Sequence, residues 1–271
     1  MQDLAKLLPF LCCPMCHASL FEENGRLRCA DCGTSYPLRE GIPHFVPPEF
    51  ESAEMREYDV NALHDPSSPT SCGYYVVRNF EIIRDVVLGF AEKADGGVAA
   101  DLGCGLGFVS KELTKGRTVI GVDFSANCIR EAARRGLLTV QANISRVPIK
   151  DRCVDLALCT EVAQHFDDFS APLFEFRRIL KPGGRLILSG LNGESLIRRI
   201  RRRIIKKSPH LFPLPRLHSL SIYRERLQKA GFEIEQIKLI FFPARFIWRT
   251  ENPNKWLRLL ATGYVFLAAR D

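Results

Sequence analysis

The chain has 271 residues, 46% of them hydrophobic and 25% charged, which is room for one large domain plus a small appendage. No apolar run approaches the ~18 residues of a membrane span, and Leu7-Leu8-Pro9-Phe10-Leu11 is too short for a secretory leader, so a cytoplasmic protein is expected. The net charge is +7, and residues 198–207 alone carry seven cations and no acid; the excess is one local feature, not the wide basic face of a protein wrapped in nucleic acid.

Five of the ten cysteines lie in the first 32 residues. Cys13-Pro-Met-Cys16 and Cys29-Ala-Asp-Cys32 form a C-x2-C, x12, C-x2-C array. Each C-x2-C makes a tight knuckle presenting two thiolates to one ion. Four thiolates fill a tetrahedral Zn²⁺ and leave no open position, so a structural zinc held by Cys13, Cys16, Cys29 and Cys32 is expected. Cys12 cannot easily share that geometry, and His17 is a weaker substitute. Cys72, Cys104, Cys128, Cys153 and Cys159 are scattered through apolar or helical segments and read as small core residues in a reducing compartment.

Residues 49–74 are polar and rich in Glu, Ser, Pro and Asp, and read as a linker with a short helix near 55–62. Apolar residues at 80, 82, 83, 86, 87 and 90 predict a helix over 78–90. Strands are expected at 98–101, 118–122, 137–141, 154–159, 185–189, 233–241 and 264–269. Helices are expected at 108–115, 125–135, 172–180 and 221–230, with Ser125 as an N-cap and Gly136 at a C-terminus. This alternation implies a mostly parallel sheet with its ligand at the C-terminal strand edge.

The first strand ends in Asp101, followed by Gly103, Gly105 and Gly107. The glycines let the backbone turn and approach a ligand closely. A second short strand ends in Asp123, twenty residues after the first glycine, where an acid reaches ribose hydroxyls. A glycine turn alone is weak evidence, since dehydrogenases use G-x-G-x-x-G. This loop instead reads Asp-x-Gly-x-Gly-x-Gly.

Asp101 to Gly107, Gly121-Val-Asp-Phe-Ser125 and Leu180-Lys-Pro-Gly-Gly184 together resemble class I S-adenosylmethionine (SAM)-dependent methyltransferases of the type 11-like group, over roughly residues 75–270. The resemblance implies an α/β fold, a Rossmann-like seven-stranded doubly wound sheet with its last strand antiparallel, behind a small N-terminal zinc ribbon. It implies SAM as cofactor, with Asp101, Gly103, Gly105, Gly107, Asp123, Phe124, Asn143 and Ile144 around it. Asn143 stands where relatives often carry Asp for the adenine amino group, and a plain loop residue is the alternative there. The segment Thr34–Pro48 is similar to the small zinc-ribbon proteins that bind and activate methyltransferases as separate subunits. The expected division is a ribbon at 1–48, a linker and cofactor cover at 49–74, and a methyltransferase domain at 75–271.

Methyl transfer from a sulfonium needs mainly alignment, with a base when the acceptor is a hydroxyl. His165, in the loop after the fourth strand, is the candidate base, with a structural histidine as the even alternative; Glu161 and His218 are weaker candidates. That loop lacks the Asn/Asp-Pro-Pro-aromatic motif of exocyclic-amine enzymes and a Pro-Cys nucleophile. Residues 196–205 set apolar positions near one helical face among cations, fit for an anionic membrane, RNA phosphates or an active-site cover. The expected activity is methylation of a small-molecule or lipid-like acceptor at oxygen. The alternatives are an rRNA or tRNA base methyltransferase and a non-catalytic SAM-binding scaffold.

Overall fold

A computed structural model describes residues 3–46, 73–204, 216–241, 246–250 and 253–271. The front module opens with α1 (Leu4–Leu7) and a 3-10 turn, then four antiparallel strands in sequential order. These are β1 (Leu20–Glu23), β2 (Arg26–Cys29), β3 (Ser35–Arg39) and β4 (Ile42–Pro43). The expected helix near 55–62 lies outside the described residues.

Next come α2 (Gly73–Ala91), β5 (Val98–Leu102), β6 (Thr118–Asp123), α3 (Ala126–Arg134), β7 (Leu138–Gln141), β8 (Val154–Cys159) and α4 (Ser170–Ile179). Then follow β9 (Leu180–Leu191), α5 (Leu196–Ile204), α6 (Leu220–Lys229), β10 (Phe232–Phe241), β11 (Phe246–Arg249), α7 (Lys255–Leu260) and β12 (Gly263–Arg270). The large sheet has the order β11-β10-β12-β9-β8-β5-β6-β7. Strands β5 to β9 pair in parallel, while β12 runs antiparallel to β9 and to β10. All seven expected strands are present, with the last antiparallel. An eighth, β11, folds back on β10 at the edge.

Burial alternates along the strands, which sorts the core onto two faces. Ala99, Leu156, Leu158, Ile187 and Val265 pack with Val86, Val87 and Phe90 of α2. Ala100, Ala157 and Leu186 face the other way, toward Phe176 of α4 and Leu227 of α6. Ser125 caps α3 by accepting from the Cys128 N–H at 3.0 Å. The helix expected at 108–115 is instead a 3-10 turn, Ser110–Lys115. Eight residues separate Gly107 from Gly116, little more than two α-helical turns, and they wind as the tighter 3-10 form. The glycine loop therefore does not feed a regular helix N-terminus.

The front module docks on the β7 edge. Leu7, Leu11, Leu27, Tyr36 and Phe45 share one core with Val140, Ala142, Val147 and Ile149. The buried His44 Nδ1 bonds Gln141 Oε1, and the Phe45 N–H donates to the Gln141 carbonyl at 2.7 Å. Gln141 Nε2 in turn donates to the Phe124 carbonyl at 2.8 Å, so one side chain ties the module to the loop after β6. No helix among the described residues is long and apolar enough to cross a membrane.

Candidate functional site

The thiols of Cys13, Cys16, Cys29 and Cys32 all lie within 4.8 Å of one another. Sγ–Sγ separations of 3.7 Å (Cys13–Cys32) and 3.4 Å (Cys16–Cys29) approach the ~3.8 Å edge of a tetrahedron with 2.3 Å zinc–sulfur bonds. The Met15 N–H lies 3.4 Å from Cys13 Sγ and the Tyr36 hydroxyl 3.2 Å, donors suited to a thiolate. The four cysteines fit a structural zinc. Cys12 is buried outside the cluster, its thiol pushed up to about 11 by burial. His17 faces Asp151 at 3.9 Å.

At the C-terminal edge of the large sheet, Gly103, Gly105 and Gly107 have φ of 82°, 49° and 72°. A Cβ on Gly103 would stand 2.4 Å from Val162 Cγ2, so the loop after β8 closes against the glycine loop. A Cβ on Gly105 would meet nothing within 4 Å, so that backbone borders open space. Asp123 is buried at the end of β6. Its Oδ2 accepts from the Gly105 N–H at 2.8 Å and its Oδ1 from the Ser125 N–H at 2.9 Å.

Asp101 is fully buried, and its Oδ1 has no hydrogen-bond partner among the described residues. Burial pushes its carboxyl up to about 7; the Ser110 hydroxyl pulls it down and the Asp123 charge raises it further. An orphaned buried carboxylate oxygen beside an open glycine cradle matches a cationic ligand with ribose hydroxyls, and SAM is such a molecule. Phe124 is half-buried and Ile144 is buried. Asn143 is exposed, and its Oδ1 already accepts from the Ser145 N–H at 2.8 Å.

His165 ends a 3-10 turn, Ala163–His165, with its side chain exposed. Crowding by its neighbours, then the Arg216 guanidinium, holds its imidazole below the ordinary value. His218 is buried, its Nε2 on the Phe166 carbonyl at 3.0 Å, a packing role. Glu161 points inward beside Ser189, Arg198 and Tyr264. Sequence reasoning missed Arg198 and Tyr264, which come from a distant helix and the last strand; only folding sets them beside Glu161. The basic helix turns its apolar residues outward. Leu196, Ile197 and Ile200 are 41%, 37% and 56% exposed, whereas Arg198 Nε donates inward to the Thr262 carbonyl at 2.5 Å. Residues 205–207 lie outside the described part. A cavity of about 300 Å³ lies between α6 and the first half of β10, at the opposite sheet edge, and contains none of these side chains.

A family model described as a methyltransferase domain matches residues 100–188, and one for Trm112p-like proteins matches residues 5–41. The chain is 32% identical over 162 residues to an uncharacterised protein of Methanocaldococcus jannaschii, covering 60% of this chain and 64% of that one. It is 36% identical over 87 residues to the demethylmenaquinone methyltransferase of Corynebacterium kroppenstedtii (32% of this chain, 38% of that one). It is 35% identical over 98 residues to the ubiquinone biosynthesis O-methyltransferase of a Bradyrhizobium strain (34% and 39%). The chain thus spans only about a third to two thirds of the length of the curated relatives it matches. A SAM-dependent methyltransferase of Thermotoga maritima superposes with a TM-score of 0.63 at 21% identity, over 80% of this chain and 100% of that one. The SAM-bound magnesium protoporphyrin IX methyltransferase of Synechocystis gives 0.55 at 18% identity, over 82% and 93%. Residues 100–188 thus match a methyltransferase domain and share the Rossmann-like fold of the solved methyltransferases, and residues 5–41, which carry the four-cysteine cluster, match Trm112p-like proteins within the same polypeptide.

Proposed function

We propose that the chain methylates a small-molecule or lipid-like acceptor at oxygen, using SAM. The pairing of the glycine cradle with Asp123 carries this reading, because it offers backbone and carboxylate acceptors where a nucleoside's ribose would lie. Relatives named for ubiquinone biosynthesis and malonyl-acyl-carrier-protein O-methylation support the choice of a small acceptor and of oxygen. When bound, SAM supplies an electrophilic methyl group on a sulfonium. In this reading Asp123 takes the ribose hydroxyls, and Gly103, Gly105 and Gly107 let the backbone approach. Asp101 balances the cofactor's positive charge, Phe124 and Ile144 flank the adenine, and the Asn143 carbonyl oxygen accepts from its amino group. The proton-accepting group lies on the loop after β8, where His165 and Glu161 are the candidates. The ribbon at 1–48, the cover at 49–74 and the catalytic domain at 75–271 are the proposed divisions. The free thiols support a reducing, cytoplasmic setting.

Calorimetry is the first test. SAM and its demethylated product should bind and NAD should not, and Asp123→Ala should weaken SAM by ~1–3 kcal/mol through lost charge-assisted bonds. Equal affinity in that variant removes Asp123 from the ribose. The second reading, RNA base methylation, draws on the cations of 198–207. The exposed Leu196, Ile197 and Ile200 beside them favour an anionic lipid surface or a lipid-like acceptor. Binding to RNA that falls with a log–log salt slope near −0.7 per phosphate, with no response to anionic vesicles, would reverse that preference. SAM binding without turnover on any acceptor would leave the scaffold reading.

A further inference from the structure

A second, much smaller cavity of about 20 Å³ sits above the C-terminal ends of β8 and β9 and the start of β12. Glu161, Arg198 and Tyr264 line it, with the apolar side chains of Ile83, Leu191 and Ile240. That volume admits one water-sized group and excludes a ring. Its wall at Glu161 adjoins Val162, the residue packed on Gly103, so the cavity lies beside the glycine loop.

Glu161 is held there by unusual means. Its φ is 58°, a conformation that residues with a Cβ rarely adopt and one that clusters at functional sites. Its N–H donates to Ser189 Oγ at 2.9 Å, and the Ser189 hydroxyl donates back to Oε1 at 3.1 Å. Oε1 is thereby committed. Among the described residues Oε2 has one long contact, 3.4 Å, from Gln164 Nε2. Gln164 is itself fixed, donating to the Glu161 carbonyl at 2.7 Å. Arg198 cannot simply swing away, because its Nε is anchored on the Thr262 carbonyl. Burial pushes the Glu161 carboxyl above the ordinary value, against the pull of Arg198, Ser189 and Gln164, the direction that makes a carboxylate a better proton acceptor. His165, by contrast, is exposed and does not line the cavity.

We propose that this cavity takes the hydroxyl of the methyl acceptor and that Glu161 receives its proton. The proposal rests on the methyltransferase reading above. The acceptor oxygen forms its bond to the methyl carbon as the sulfur–carbon bond breaks, with the electron pair returning to sulfur. The hydroxyl proton passes to Glu161 Oε2. A carboxylate acceptor would set a second anionic oxygen against Glu161, so the acceptor class is a phenol or an alcohol.

The test uses the full chain, with catechol as the hydroxyl probe and acetate as the carboxylate probe. Calorimetry first reads SAM binding; its absence in the wild type overturns both the methyltransferase reading and this one. With the demethylated cofactor bound, catechol should bind at millimolar concentration and acetate should not. Glu161→Gln, nearly isosteric, should keep the wild-type affinity for SAM. It should weaken catechol about tenfold. It should lower the rate of catechol methylation about 100-fold and remove the acidic limb of the pH–rate profile. Glu161→Asp should recover part of the rate and restore that limb. Where SAM binds, three results overturn the proposal: failure of catechol to bind, preference for acetate, or wild-type catechol binding and pH profile in Glu161→Gln.

Discussion

The zinc ribbon and the large sheet reach order by different routes. In the ribbon, strands of four or five residues bury few side chains, and four thiols gathered within 4.8 Å substitute for a larger interior. In the sheet, apolar residues fill two faces, with Phe90, Phe176 and Phe266 fully buried, and that spread of contacts holds the domain closed. The contrast shows where sensitivity should lie. A module built on one ion fails when one ligand is lost. A module built on a distributed core yields by degrees, and most at the crowded turns of its functional edge.

Cys29→Ser should therefore have the largest effect. Cys29 is a buried ligand at the end of β2, where a hydroxyl cannot replace a thiolate toward zinc. Zinc binding of this kind contributes on the order of 10 kcal/mol to small domains, so most of the ribbon's stability depends on it. Metal analysis should fall from about one zinc per chain to near none. Limited proteolysis should then cut within residues 3–46 while the sheet stays resistant and SAM still binds. Loss of SAM binding together with the metal would break the comparison, and the bridge from His44 through Gln141 to Phe124 would be the route.

The same contrast governs what could be read from sequence. The four zinc ligands were legible because knuckle chemistry is local: C-x2-C places two thiols on one turn. The strand order was legible through Asp101, Asp123 and Lys181-Pro-Gly-Gly184, each at the end or start of a strand. The turn at 110–115 was read as a helix because periodicity does not register how tightly two glycines bound a segment. Strand β11 and helix α7 went unread. Asn254, whose Oδ1 accepts from the Leu257 N–H at 2.9 Å, was the available signal for α7. The small cavity was not legible at all, since Glu161, Arg198 and Tyr264 lie on three separate elements and only the fold brings them together. The orientation of the basic helix was not legible either, for a related reason. Sequence gives the faces of a helix, while the neighbour that Arg198 finds, the Thr262 carbonyl, decides which face turns inward.

Gly103→Ala should come second. The new methyl group would stand 2.4 Å from Val162 Cγ2, on a backbone at φ 82°. Steric repacking and left-handed strain together should cost about 2–4 kcal/mol in denaturant unfolding. Val162→Ala in the same chain should return the steric share and leave the backbone share, so the double variant should be more stable than Gly103→Ala alone. Additive losses would mean that the contact between the two loops carries no strain in the variant.

The most gradual effect, smallest for any single step of pH and the one that tests the cofactor edge most directly, is the pH dependence set by Asp101. Its folded carboxyl titrates at about 7, and burial is the main cause. In the unfolded chain an aspartate titrates near 4, at roughly its model-peptide value. Between those values the folded chain holds a proton that the unfolded chain has released. Stability therefore falls as pH rises through that window, by at most roughly 1.4 kcal/mol per pH unit, and levels off above about 7. Lowered carboxyls such as Asp155 act with the opposite sign and mainly below pH 4, whereas the lowered imidazoles of His44 and His165 oppose the trend and the raised Glu161 adds to it within the window, so the comparison with a variant at Asp101 is what isolates this group. Asp101→Asn removes the titrating group, and the difference between its unfolding free energy and the wild type's should grow from pH 4 to 7 and then hold constant. A cationic cofactor favours the ionised carboxylate, so SAM should bind the wild type more tightly as pH rises toward 7 and bind Asp101→Asn with a flatter profile. Parallel stability curves for the two proteins across pH 4 to 7 would show that Asp101 ionises freely in the folded chain and that its orphaned oxygen is reached by water.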